Sequence, residues 1–176
     1  MESDAKPIAG ELGAWHGGPV HEEVETVELD RPGLSRVAEI DRTERIEALV
    51  RQHGEDLVEE PGEWDSPGWD AHGSGEHSVA AKLRELEGYV DRGGVAFGAL
   101  RGSRLVGLGV VVPEVRPGVA QLAFLHVTAP ERSTGVGRRL CEVLERIAVG
   151  LGQREMVVSA TPSARTVRFY LDRGFR

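Results

Sequence analysis

The run Arg132-Ser133-Thr134-Gly135-Val136-Gly137-Arg138-Arg139 has the residue types that an anion site needs. Glycines let a ligand approach the backbone closely. A loop that opens into a helix offers unpaired N–H groups at the positive end of the helix dipole. Three arginines add local positive charge to a chain whose net charge is −8. Phosphate is the natural ligand of such a loop. A dinucleotide fingerprint would need a third small residue at position 140, where Leu140 stands. A Walker-type loop would need Gly-Lys-Ser/Thr, and the run holds no lysine. On its own the run describes equally well a glycine-containing turn with solvated arginines.

Two other places carry reactive types. Tyr170 lies in Phe169-Tyr170-Leu171-Asp172-Arg173-Gly174-Phe175. A phenol with a pKa near 10 can donate a proton to a developing thiolate. The stretch 55–77 is acidic, with Glu55, Asp56, Glu59, Glu60, Glu63, Asp65, Asp70 and Glu76 and no Lys or Arg. Trp64 and Trp69 stand within it, beside His72 and His77. Carboxylates and aromatic faces there would suit a cationic amine. The same residues also describe a solvated acidic loop with both tryptophans pinned to the core. Two histidines five residues apart make no metal pattern, and no metal is expected. Cys141 reads as a packed thiol.

Periodicity predicts the elements that must hold these groups. Val24–Leu29 alternates as a short strand, closed by Arg31-Pro32-Gly33. Val37, Ile40, Ile46, Leu49 and Val50 fall at helical spacing between Leu34 and His53. Residues 55–77 read as a long loop. Ser78 caps a helix with Val79, Leu83, Leu86 and Val90 on one face. Residues 95–101 and 105–112 form a hairpin about Gly102-Ser103, and 121–127 is a third strand. After the glycine loop comes a helix carrying Leu140, Val143, Leu144, Ile147 and Leu151, then a strand over 155–160. The last helix starts at Thr161 as N-cap with Pro162 in its first position. The order strand, helices, meander, helix, strand, helix is that of an α/β (α+β) domain with one crossover.

The chain has 176 residues, one domain by length, and is 40% hydrophobic and 28% charged. Residues 1–20 read as a flexible arm anchored only by Trp15, and 21–176 as the domain. The acidic balance argues against nucleic acid, and no apolar run is long enough for a bilayer. A single cysteine excludes an internal disulfide framework and fits the cytoplasm.

Two of these stretches together are more specific than either alone. Leu125-x-Val127 ends a strand, Arg132-Ser133-Thr134-Gly135-Val136-Gly137 resembles a pyrophosphate loop, and Phe169 to Phe175 resembles a Tyr-x-x-x-Gly-Phe signature. In them the chain resembles the GNAT superfamily of acyl-CoA-dependent N-acetyltransferases, over about Val24–Phe175 in element order. The resemblance implies a mixed sheet with a meander, flanking helices, and two splayed strands that admit the pantetheine arm of acetyl-CoA. It implies that Leu125, His126 and Val127 hold that arm, with the Leu125 N–H on the thioester oxygen. It implies that residues 133–138 cradle the pyrophosphate with Arg132 nearby, while Arg138 and Arg139 reach either phosphate or solvent. It makes Tyr170 the general acid.

Departures from the pattern bear on activity. Gln121 stands where the family often has a glutamate base, so its side chain could only orient a water or the substrate. Ser163 stands where an asparagine that touches the cofactor is common. His126, His72, His77, Glu63 and Asp65 are other base candidates, and strand alternation turns His126 away from Leu125 and Val127. The sequence stops at Arg176, where the family usually adds further strands. The C-terminal strands are therefore expected to be missing, with an open sheet edge and a homodimer as possible consequences. The expected function is acetyl transfer from acetyl-CoA to an amine, with Trp64, Trp69 and Gln121 on the substrate side. A non-catalytic acyl-CoA sensor of the same fold stays open beside it, as does an unrelated phosphate-binding protein.

Overall fold

The computed structural model describes residues 23–54 and 56–176. The expected arm over 1–20 lies outside them. A five-stranded sheet runs in the order β1 (Val24–Leu29), β4 (Val95–Arg101), β5 (Arg104–Arg116), β6 (Val119–Val127), β7 (Glu155–Val158). The first four strands are antiparallel neighbours, and β7 lies parallel to β6. A parallel neighbour needs a crossover, which is α2 (Val136–Gly150). The sheet is mixed α/β as expected.

β5 is buried without a break from Leu105 to Val112, because both of its faces are covered. On one face Leu108 and Val110 meet Leu34, Val37 and Ile40 around a 3₁₀ helix (Pro32–Glu39), and Leu86 of α1 (Val79–Asp91). On the other, Val111, Ala120 and Leu122 meet Cys141, Leu144 and Ala148 of α2 and Tyr170 of α3 (Ala164–Leu171). α2 packs against the sheet over two glycines of β5. A Cβ on Gly107 would lie 2.9 Å from Leu140, and one on Gly109 would lie 2.6 Å from Leu144. A side chain at either position would force the leucine opposite to move.

The region between Leu34 and the first long helix differs from its reading in sequence. The helical spacing of Val37 to Val50 divides between the short 3₁₀ helix and a strand, β2 (Glu44–His53). The supposed loop begins as a strand, β3 (Asp56–Ser66), which pairs with β2 in a separate antiparallel hairpin. Ile46, Ala48, Leu49 and Val50 put apolar groups on both faces of β2, which mimics a helical stripe. What fixes the strand is non-local. Arg51 and His53 of β2 face Glu60 of β3, and Arg45 faces Glu63 and Asp65. The last helix also starts later than expected. Ser163, not Thr161, is its N-cap, with the hydroxyl accepting from Thr166 N at 3.3 Å.

Candidate active-site cleft

β6 and β7 pair only from Val119↔Glu155 to Leu122↔Val158, and then part. Just beyond the parting, Ala123 is an extra residue: Val110 faces Phe124 and Val111 faces Leu122. The bulge resets the strand's phase. Leu122 and Leu125, three apart, both pack toward α2, whereas Phe124 joins the opposite cluster. A cleft of about 1020 Å³ opens along the freed half of β6.

The backbone of that half faces the cleft. Thr128 N donates to Val106 O at 2.9 Å, in register with Gly107↔Val127. In an antiparallel ladder bonded and non-bonded pairs alternate. Leu125 and Val127 are therefore non-bonded toward β5, and their N–H and C=O groups turn to the open side. Val127 O accepts there from Arg132 Nε at 3.2 Å. Leu125, His126, Val127 and Gln121 all line the cleft.

The glycine loop sits at one end. Arg101 grips Glu131 through two 2.7 Å bonds, and Thr134 Oγ1 donates to Glu131 O at 2.7 Å. Ser133 and Gly135 take positive φ, 66° and 96°. Gly135 is the N-cap of α2, and its carbonyl receives Arg139 N at 3.0 Å. The N–H groups of Val136, Gly137 and Arg138 are the unpaired ones of the first turn. Thr134 N is taken by Glu131 O. Ser133, Gly135, Gly137 and Arg138 line the cleft, while Thr134 and Arg139 face a smaller cavity against β1. Arg139 donates to Val24 O at 2.6 Å, so it braces the helix on the sheet. Arg138 is largely exposed beside Glu142. Arg132 also donates to Thr43 O at 2.7 Å and has Glu44 at 3.9 Å, which ties the loop to the root of β2.

α3 forms the facing wall. Tyr170 is 9% exposed, with Phe169 and Phe175 edge-on at 5.1 and 5.4 Å. Burial, with Cys141 nearby, pushes its hydroxyl up to about 12. It is therefore a permanent donor at physiological pH. The Cys141 thiol is likewise pushed up to about 12, by burial and its bond to Glu145, so it is no nucleophile. Ser163 is buried, uses its hydroxyl on Thr166 and does not line the cleft. Arg165, which sequence reading missed, donates to Ser133 Oγ at 2.9 Å and closes the loop against α3. No local signal marks it, because the contact spans thirty-two residues.

The other end of the cleft is aromatic and charged. Trp69 stands 5.9 Å from His126, which lies 4.7 Å from Phe124. Arg42 lies over the Trp69 ring at 4.5 Å. Lys82, Glu85 and Tyr89 of α1 continue the wall, with Tyr89 Oη donating to Glu85 at 2.8 Å. Trp64 and His77 also line it, whereas His72, Glu63 and Asp65 do not. Among the described residues no group of three or more His, Cys, Asp or Glu could hold a metal. No helix among them is long and apolar enough to cross a membrane.

Burial pushes His126 down to about 4, helped by Lys82, Arg42 and Arg132. The ring is neutral at pH 7. Between its ordinary value of 6.5 and about 4, the unfolded chain takes up a proton that the folded chain refuses. Stability therefore falls as pH falls through that window, by up to about 3 kcal/mol. His126→Gln flattens this acid limb. Denaturant unfolding of both proteins at pH 7 and pH 4.5 measures it, and parallel losses in the two would refute it.

Sequence comparison agrees with this geometry. Residues 55–175 match the acetyltransferase (GNAT) family. No curated protein matches the chain. Among solved structures, nourseothricin acetyltransferase is similar with a TM-score of 0.63 at 14% identity, over 86% of this chain and 81% of that one. A Bacillus anthracis protein named as a streptothricin acetyltransferase, solved with acetyl coenzyme A, has a TM-score of 0.65 at 15% identity, over 86% and 82%. An aminoglycoside N-acetyltransferase in complex with CoA has 0.56 at 14%, over 89% of each chain. At such identities the likeness is one of fold. The family match covers most of the chain, including β6, the glycine loop and α3, so this protein belongs to the GNAT acetyltransferase family and is an acyltransferase.

Proposed function

We propose that the protein moves the acetyl group of acetyl-CoA directly to the amine of a small molecule. The parting of β6 from β7 after Leu122 carries the reading. It leaves strand backbone free to pair with an extended amide-bearing arm, as a further strand would. At one end of that gap, the N–H groups of Gly137 and Arg138 suit the pyrophosphate, with Arg165 beside them.

The chemistry follows from the groups at the gap. The amine nitrogen attacks the thioester carbon, and the Leu125 N–H stabilises the charge that grows on the oxygen. The carbon–sulfur bond then breaks; the nitrogen gives its proton to solvent water, and the departing thiolate takes one from solvent. Tyr170 supplies the hydrogen bond to the leaving sulfur. With a pKa of about 12 it acts as a donor to the developing thiolate, since complete transfer to a thiolate of pKa near 8.5 is uphill. His126, held near 4, is too weak a base for an ammonium proton and serves as part of the wall. Gln121 faces the same cleft and can orient the acceptor or a water.

A thermal-shift titration tests the cofactor half. Acetyl-CoA and desulfo-CoA at a hundred times Kd add about 2.7 kcal/mol, a rise on the order of 5–10 °C, and ADP does not. Release of CoA thiol with an amine panel tests turnover. A shift without thiol release from any amine would mark an acyl-CoA sensor, and no shift would remove the reading.

A further inference from the structure

We propose that the acceptor amine also carries a carboxylate, which docks on the Arg42 guanidinium beside Trp69; this rests on the acetyltransferase reading above. Arg42 lines the cleft and is half-buried. Its Nη1 meets His77 Nδ1 at 3.3 Å, and its Nη2 donates to Ser66 Oγ at 3.0 Å. Those bonds hold the guanidinium over the Trp69 ring, 4.5 Å from its centre. Neither partner carries a negative charge. Arg42 Nε and Trp69 Nε1 are both buried N–H donors without an acceptor among the described residues.

Four other cations of the cleft have carboxylates nearby, whereas Arg165, bonded to Ser133, and Arg173, over the Phe169 ring, form no ion pair among the described residues. Arg132 has Glu44, Lys82 has Glu85, Arg138 has Glu142 and Arg168 has Glu59. Arg42 forms no ion pair among the described residues, and Glu76 acts on it only at longer range. A partly desolvated guanidinium with no ion-pair contact is costly unless something anionic meets it. Its planar fork matches a carboxylate.

The Trp69 face and Glu85 are poorly arranged for a substrate ammonium, which leaves Glu76 as the unengaged carboxylate of this wall. The Trp69 ring is already occupied by the protein's own cations, with Arg42 at 4.5 Å and Lys82 at 5.7 Å. Glu85, the carboxylate nearest to hand on α1, is engaged by Lys82 and by Tyr89. With Trp69 only 5.9 Å from His126, the carboxylate end of a ligand would lie close to the strand that holds the reacting carbonyl. The geometry suits an amino acid or a short compound of that type, in which amine and carboxylate are few bonds apart.

Matched probes test this. Thiol release is measured for glycine with methylamine, L-phenylalanine with phenethylamine, and L-lysine with cadaverine. The carboxylated member of at least one pair is expected to have the higher kcat/KM. Arg42→Gln is expected to raise its KM about tenfold or more and to collapse the ratio within the pair, and Arg42→Lys to restore part of it. Comparing variants cancels the difference in amine pKa within each pair, and a merely structural loss would lower both members alike. A ratio that Arg42→Gln leaves unchanged overturns the proposal, as does preference for the decarboxylated amines. If no probe amine turns over, N-acetyl-L-phenylalanine and N-acetylphenethylamine are titrated onto the CoA-saturated protein. A thermal shift from the first alone supports the proposal, and equal shifts or none overturn it. Failure of the acetyltransferase reading itself shows separately, as absence of an acetyl-CoA shift.

Discussion

Replacing Tyr170 by phenylalanine lowers kcat about tenfold or more and leaves acetyl-CoA affinity nearly unchanged. The ring is fixed by packing rather than by its oxygen. It belongs to the cluster of Leu122, Cys141 and Leu144, with Phe169 and Phe175 edge-on. The hydroxyl makes no hydrogen bond among the described residues, so its removal unpairs nothing in the fold. What is lost is a donor with a pKa of about 12, whose value is greatest when negative charge gathers on sulfur. Such a loss falls on kcat and not on ground-state binding. Steady-state rates at saturating acetyl-CoA, with a thermal-shift Kd, give both numbers. An unchanged kcat would take Tyr170 out of the chemistry and leave it a core aromatic.

The second large effect concerns how α2 is seated. Leu144→Ala removes a fully buried side chain and costs about 2–5 kcal/mol, a large share of a domain's usual stability. Gly109→Ala costs about 1–3 kcal/mol by overpacking, because the new Cβ would stand 2.6 Å from Leu144 Cδ1. The two costs do not add. The methyl of one variant fills space vacated by the other, so the double variant is at least about 1 kcal/mol more stable than the sum predicts. Chemical denaturation of the four proteins closes the cycle. Strict additivity would mean that the helix shifts as a body instead of packing against that one glycine.

The parts of the site that were legible in the sequence are those whose chemistry is local. Arg132 to Gly137 announces a backbone site through residue types alone, and Gly135 does take the left-handed conformation that such a turn needs. The periodic faces of α1 and α2 were equally plain. The β2–β3 hairpin was not, because it is made by cross-strand charge pairs whose members look like unrelated solvated residues along the chain. The acidity of 55–77 reads differently once Arg45, Arg51 and Arg168 are seen to answer Glu63, Glu60 and Glu59. Those acids are largely spent within the fold. Arg42 and Lys82, which lie over the Trp69 ring, come from either side of that stretch and carry no pattern of their own.

Ala123 has a meaning beyond local geometry. A strand is a ruler marked every two residues, and one extra residue sets its two halves out of phase. Were Ala123 to take a regular place in the ladder instead of bulging, Phe124 and His126 would move to the face that Leu125 and Val127 now occupy, and the reverse. Acceptor wall and thioester wall would trade places without any change in composition. A one-residue deletion at 123 should therefore leave both walls in phase, whereas an insertion there needs a second bulge to do so, and a library that varies both would read this difference directly.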